Sequence, residues 1–148
     1  MKPSSLTIIS SAFDHNGDIP RKYTCQGENV NPPLKISNIP AGSKSLALIV
    51  DDPDAPGGTF DHWIVWNILP AEFISEKSIP GIEGKNHYNI THYKGPCPPS
   101  GTHRYFFKVY ALDTMLELKP GVEKETLEKA MQPHTLASGE LIGLYKKS

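Results

Sequence analysis

Apolar residues along this chain come in short runs, rich in β-branched and aromatic side chains and separated by proline and glycine. That pattern predicts strands, at Leu6 to Ala12, Leu34 to Ser37, Ser45 to Asp52, His62 to Leu69, Arg104 to Leu112 and Leu136 to Tyr145. A different rhythm appears once. Val122, Leu127, Ala130 and Met131 fall near helical spacing between Pro120-Gly121 and Pro133, which predicts a helix over Val122 to Gln132. Its Glu123, Lys124, Glu125, Glu128 and Lys129 read as a solvated charged face. No internal repeat or low-complexity segment is present, and the class is mainly β.

Strand side chains alternate between faces, so parity assigns each polar residue to a row. Asp52 falls in line with Leu46, Leu48 and Val50, His62 with Ile64, Trp66 and Ile68, and His103 with Tyr105, Phe107 and Val109. Each of the three therefore ends an apolar row. Antiparallel pairing of Ser45 to Asp52 with His62 to Leu69 through the intervening loop brings Asp52 and His62 to one sheet edge. The order of distant strands is not readable from one sequence, so the place of His103 stays open.

Composition narrows the class of partner. The 148 residues make a single domain, 1–148, with a formal charge of -1 from fifteen Lys and Arg against sixteen Asp and Glu. A chain of this size buries roughly 70% of the surface exposed on unfolding. No basic block or stripe is present, which argues against nucleic acid as a partner. Apolar runs such as Leu46 to Val50 fall far short of the roughly 20 residues that span a bilayer, so an integral membrane protein is not expected. The opening Met1-Lys2-Pro3-Ser4-Ser5 leads to no cleavage-site pattern, and the expected location is cytoplasmic. In that compartment Cys25 and Cys97 are expected to be reduced thiols, with Cys97 a small side chain at the edge of a pocket.

Chemistry concentrates in two segments, Asp51-Asp52-Pro53-Asp54-Ala55-Pro56 running into Phe60-Asp61-His62-Trp63, and Gly95-Pro96-Cys97-Pro98-Pro99-Ser100-Gly101-Thr102-His103-Arg104-Tyr105. In each, a turn rich in proline and glycine delivers a histidine to the start of an apolar run. Two imidazoles and a carboxylate suit a phosphate or similar anion, because a carboxylate stabilises a protonated ring and fixes its tautomer. Gly95 permits close backbone approach, and Pro53, Pro56, Pro96, Pro98 and Pro99 stiffen the rim. The plainer alternative is that both histidines are satisfied strand ends and that the Asp-Pro-Asp run is only a turn. A metal site is weakly signalled, since close-spaced ligands are missing. Thr59, Ser100 and Thr102 supply hydroxyls without a nucleophile elbow, and there is no phosphate loop or dinucleotide fingerprint, so no cofactor is expected. His15, His87, His92 and His134 read as exposed loop residues.

Taken together, Asp52-Pro53-Asp54-Ala55-Pro56, Asp61-His62-Trp63 with Val65-Trp66-Asn67, and Gly95-Pro96 ahead of His103-Arg104-Tyr105 resemble the phosphatidylethanolamine-binding protein family. The chain is most similar to its short bacterial and archaeal branch, described as similar to Raf kinase inhibitor protein. Tyr23-Thr24-Cys25, Gly27 to Leu34, Ser45-Leu46-Ala47 and Glu140 to Tyr145 extend the likeness, which runs from about Ile19 to Tyr145. The resemblance implies an antiparallel β-sandwich with one or two short peripheral helices. It also implies a non-enzymatic pocket for a small phosphorylated or anionic ligand, lined by Asp52, His62 and His103. Gly95, Pro96 and Tyr105 would stand beside them, with Pro56 on the rim and Phe60 as an aromatic wall. A kinase or protease partner is implied, a homodimer is compatible, and a cis Ala55–Pro56 bond is expected. The alternative activity is hydrolysis of a phosphoester or acyl bond by the same Asp/His/His set. His92, Tyr93 and Lys94 lead to an expectation of a bulkier, more basic rim, and the chain end soon after Tyr145 to one of a more open pocket than in animal members.

Overall fold

The computed structural model describes residues 4–148. In chain order the strands are β1 Ser4–Ser5, β2 Thr7–Ile9, β3 Gly17–Asp18, β4 Leu34–Ser37, β5 Ser45–Asp52, β6 Phe60–Ile68, β7 Phe73–Ile74, β8 Ile82–Glu83, β9 Thr102–Leu112 and β10 Thr135–Lys146, with helix α1 at Lys124–Met131. A seven-stranded sheet runs β1-β10-β9-β5-β6-β8, with β3 also on β10, and a three-stranded sheet runs β2-β4-β7. The long strands pair antiparallel, but β1 and β3 each join β10 in parallel, so the sandwich is mixed rather than wholly antiparallel.

Strand β5 is buried at all eight positions because it is covered on both faces. Leu46, Leu48 and Val50 pack toward the small sheet with Ile36, Leu34, Trp63, Val65, Phe107 and Leu141. Ala47 and Ile49 pack the other way with Ile64, Trp66, Leu112, Leu116 and the α1 residues Leu127 and Met131. Burial on both faces explains why the sequence shows a continuous apolar run here and not an alternation. Strand β9 does alternate along most of its length, with Tyr105, Phe107 and Val109 buried and their neighbours more exposed.

Two irregularities in the β5–β6 ladder correct the parity of β6. Val50 pairs with Trp63 but Asp51 pairs with Asp61, which leaves His62 as an extra residue. Plain alternation places His62 with Ile64 and Trp66 on the helix face; the bulge turns it to the opposite side. Further along, Leu46 pairs with Ile68 and Leu48 with Val65. Asn67 adopts φ 54 in that interval, and Ile68 joins the inter-sheet core. The Asn67 amide donates to the Leu116 carbonyl at 2.9 Å and accepts from its N–H at 2.7 Å, pinning the segment that leads to α1.

The helix corrects a second expectation. Lys124 is not on a solvated face: its side chain is only 14% exposed, and it pairs with Asp61 at 2.7 Å and Asp51 at 3.6 Å. Lys108 from β9 reaches Asp51 at 3.1 Å. Among the described residues no helix is long and apolar enough to cross a membrane.

Candidate functional site

The order β9-β5-β6 carries the end of β5 and the starts of β6 and β9 to one edge of the large sheet. There Asp52, His62 and His103 come together with Phe60 and Tyr105 around a cavity of about 210 Å³. Ala55, Pro56, Tyr88, Cys97, Pro98 and Pro99 complete its lining.

Asp52 is 3% exposed, and both of its oxygens accept hydrogen bonds. Oδ1 accepts from the Asp54 N–H at 2.8 Å and Oδ2 from His103 Nδ1 at 2.7 Å. A buried carboxylate needs such partners to remain charged. Asp54 faces away from the cavity and takes the Arg104 N–H, Nε and Nη2, each at 2.9 Å. These Arg104 hydrogen bonds hold the Asp54 carboxyl at about 2. The Asp-Pro-Asp turn therefore grips two consecutive residues of β9, His103 by one carboxylate and Arg104 by the other.

His62 donates from Nδ1 to the Lys94 carbonyl at 2.7 Å. A carbonyl only accepts, so the proton sits on Nδ1, and in the neutral ring Nε2 carries a lone pair. Burial pushes the His62 pKa down, against the opposing pull of the Lys94 carbonyl and the Asp52 charge. Tyr105 is fully buried, with its hydroxyl beside the Asp52 carboxylate and the Cys97 backbone but without a well-aligned hydrogen bond to either. Burial first, then the Asp52 charge, raises the Tyr105 pKa, so the hydroxyl keeps its proton. The Phe60 ring centroid lies 4.8 Å from Tyr88, 5.1 Å from His62 and 5.3 Å from His87, making an aromatic wall.

Gly95 and Pro96 are not among the lining residues. The Gly95 N–H donates to Asn29 Oδ1 at 2.7 Å, and a Cβ at this position would lie 1.9 Å from the Tyr23 carbonyl oxygen. Glycine is required by that close approach, which fixes the neighbouring Lys94 carbonyl for His62. The Pro96 carbonyl accepts from the Cys25 N–H at 3.2 Å. The segment before Gly95 also differs from expectation. Tyr93 is buried in the core against Trp63, with its hydroxyl on the Tyr23 carbonyl at 2.7 Å, and adds no bulk to the rim.

Cys25 and Cys97 form a disulfide across a separation of 72 residues, which corrects the expectation of two thiols. The proline loop runs against the turn after Tyr23, a non-local approach that spacing does not reveal. No peptide bond among the described residues is cis, so Ala55–Pro56 is trans, against expectation.

Sequence reasoning missed Tyr88 and the residue that places it. Asn86 is buried, and its amide donates to the His62 and His92 carbonyls at 3.0 Å, while its carbonyl accepts from the Tyr88 N–H at 2.9 Å. The available signal was the local turn chemistry of Asn86-His87-Tyr88-Asn89, since asparagine side chains commonly organise such turns. Pro98 and Pro99 were read as stiffening the rim and also line the cavity. Among the described residues no group of three or more His, Cys, Asp or Glu is placed to hold a metal ion.

A two-layer β-sandwich with an Asp–His pocket at one sheet edge is the class that the fold and the geometry define. The chain belongs to the phosphatidylethanolamine-binding protein family, whose family model matches residues 9–146. It is 53% identical over 153 residues to a UPF0098 protein of Pyrococcus abyssi, covering 96% of this chain and 86% of that one. A UPF0098 protein of Methanothermobacter thermautotrophicus is 46% identical over 150 residues, covering 96% and 99%. Among solved structures, a phosphatidylethanolamine-binding protein homologue from Chlamydia trachomatis superposes with a TM-score of 0.94 at 42% identity, covering 98% and 99%. YbcL of E. coli, described as a new member of the mammalian family, gives a TM-score of 0.89 at 26% identity, covering 98% and 100%.

Proposed function

We propose that this protein is a non-enzymatic binder of a small oxyanion, such as phosphate or a phosphorylated head group, and that it acts through this pocket on a protein partner of the kinase or protease type. The observation that carries the reading is the buried Asp52–His103 pair at an apolar-walled cavity. Nδ1 of His103 donates to the Asp52 carboxylate, a partner that favours the protonated ring, and in that form the Nε2–H is left as a donor. Donors aimed into a desolvated site bind anions more strongly than the same groups in water. The proline-rich wall limits the ordering cost of binding.

Hydrolysis is the weaker reading. Thr59, Ser100 and Thr102 do not line the cavity, and Cys97 is held in its disulfide, so no serine, threonine or free-thiol nucleophile stands beside the Asp–His pair among the described residues. We keep the cytoplasmic placement. The Cys25–Cys97 bond is compatible with that placement where structural disulfides persist in the cytosol, as in hyperthermophiles.

Calorimetric titration with inorganic phosphate and phosphoethanolamine tests the pocket, alongside a His103→Ala variant and an assay for p-nitrophenyl phosphate turnover. The expected result is saturable wild-type binding, at least about tenfold weaker in the variant, without turnover; one lost charge-assisted bond is of that size. Undiminished binding in His103→Ala, or catalytic turnover by the wild type, would overturn the proposal.

A further inference from the structure

The two ends of the Cys25–Cys97 bond sit in different kinds of structure. Cys25 belongs to a turn held by its own hydrogen bonds: the Thr24 N–H and hydroxyl both donate to the Arg21 carbonyl, at 3.0 and 2.9 Å, and the Gly27 N–H donates to the Thr24 carbonyl at 3.1 Å. Cys97 belongs to the segment 96–101, which supplies Cys97, Pro98 and Pro99 as one wall of the cavity. Pro96, Pro98 and Pro99 have no N–H to donate. Among the described residues, the one backbone hydrogen bond that ties this segment to the rest of the chain runs from the Cys25 N–H to the Pro96 carbonyl, at 3.2 Å.

The prolines thus fix the local shape of the wall, while the disulfide fixes where the wall sits. Gly95, bound to Asn29, anchors the segment at one end. At the other end Gly101, at φ 70 and with nothing within 4 Å of an added Cβ, is a free joint where the chain enters β9. Resting on the anion-pocket reading, we propose that the Cys25–Cys97 bond is a redox gate on the pocket: oxidised, it holds the proline wall against the cavity, and reduced, it lets the wall swing out about Gly101, admitting water and releasing the oxyanion.

The chemistry is thiol–disulfide exchange with a dithiol. One thiolate of the reductant attacks Sγ of Cys25, the exposed partner, and Cys97 leaves as a thiolate. The second thiolate of the reductant then displaces Cys25. Two electrons pass to the protein, the two protons given up by the dithiol end on Cys25 and Cys97, and the reductant ends as a disulfide. Opening the wall acts on affinity through water, because donors facing a desolvated site hold an anion more strongly than donors in contact with solvent. Linkage makes the coupling reciprocal. A tenfold weaker phosphate affinity on reduction means that saturating phosphate makes the bond tenfold harder to reduce, a shift of about 30 mV to more negative potential.

Inorganic phosphate is the probe. Calorimetric titration of the full chain is run with the disulfide intact and again in dithiothreitol, with circular dichroism reporting the fold and intact mass after alkylation reporting the thiols. Reduction is expected to leave the chain folded at room temperature and to weaken phosphate binding at least about tenfold. A Cys25→Ser/Cys97→Ser variant is expected to bind like the reduced wild type, with or without reductant. In dithiothreitol buffers of graded redox poise, saturating phosphate is expected to move the midpoint of reduction by about 30 mV relative to matched chloride, a readout that needs no variant. Equal phosphate affinity in the two redox states, a midpoint that phosphate does not move, or a reduced chain that unfolds overturns the gate and leaves the pocket reading intact. No phosphate binding by the oxidised chain overturns both.

Discussion

Removal of the Cys25–Cys97 disulfide is expected to cost this protein a large part of its stability. The bond closes a loop with a sequence separation of 72. In the chain-entropy treatment, opening a loop of that length in the unfolded state is worth about 4.4 kcal/mol at room temperature, against a total of roughly 5–15 kcal/mol for a typical domain. At about 2–4 °C per kcal/mol for a chain of this size, the melting temperature of a Cys25→Ser/Cys97→Ser double variant should fall by roughly 9–18 °C. With a urea slope of about 2–3 kcal/mol per molar, the unfolding midpoint should fall by roughly 1.5–2 M. The effect also reaches the pocket, because Cys97 lines it and Pro96, Pro98 and Pro99 give the loop few backbone donors with which to hold itself. Phosphate binding should weaken along with stability. Scanning calorimetry and urea unfolding, each with and without dithiothreitol, read the first effect, and intact mass confirms the oxidised wild type. The wild type in reductant should converge on the variant, and the variant should ignore reductant. A loss below about 1 kcal/mol, or a folded wild type in which iodoacetamide modifies both cysteines, would refute the reasoning.

Two further outcomes follow from close contacts. Gly95→Ala places a Cβ 1.9 Å from the Tyr23 carbonyl oxygen, a backbone atom that cannot step aside. A loss of about 3 kcal/mol is expected in urea unfolding. Gly57→Ala, with nothing within 4 Å of the added Cβ, is the control and should stay within about 0.5 kcal/mol. Lys124→Met leaves Asp61 without its 2.7 Å partner while Lys108 still serves Asp51. The expected loss is about 2–3 kcal/mol, less than that for an isolated buried pair, and the same calorimetric scan checks it.

Strong local signals made much of the fold legible. The continuous apolar run of β5 gave its bounds at Ser45 and Asp52, and β4, β9 and β10 fall within two residues of expectation. Strands β1, β3, β7 and β8 are two residues each, too short to show any period. The first expected strand, Leu6 to Ala12, is realised only over Thr7–Ile9, which pair with β4 in the small sheet, while Ser4 and Ser5 ahead of it pair with β10. At the site, Asp52 and His62 were readable from the turn between two paired strands, whereas His103 depended on the family resemblance because β9 lies far away in sequence. The disulfide and the Lys94 carbonyl bond to His62 are likewise non-local. Parity failed at His62 for a physical reason: alternation assumes an uninterrupted ladder, and the bulge inserts a residue.

That bulge has a cause on the opposite face of the sheet. Asp51 and Asp52 are consecutive in β5, so they point to opposite faces, and each carboxylate must find a partner where water is scarce. Asp52 finds His103 in the pocket, and Asp51 finds Lys108 and Lys124 under the helix. Asp61 pairs directly across from Asp51, a like-charge neighbour that would be unfavourable alone. Lys124, lying 2.7 Å from Asp61 and 3.6 Å from Asp51, offsets that repulsion and holds Asp61 on the helix face. Trp63, two residues on, is held in the inter-sheet core. With both neighbours fixed, His62 is the residue left over, and it turns toward the cavity. Helix α1 is peripheral in the fold, yet through Lys124 it sets the strand geometry that presents His62. Lys124→Met should therefore weaken phosphate binding as well as stability, although Lys124 lies on the far face of the sheet.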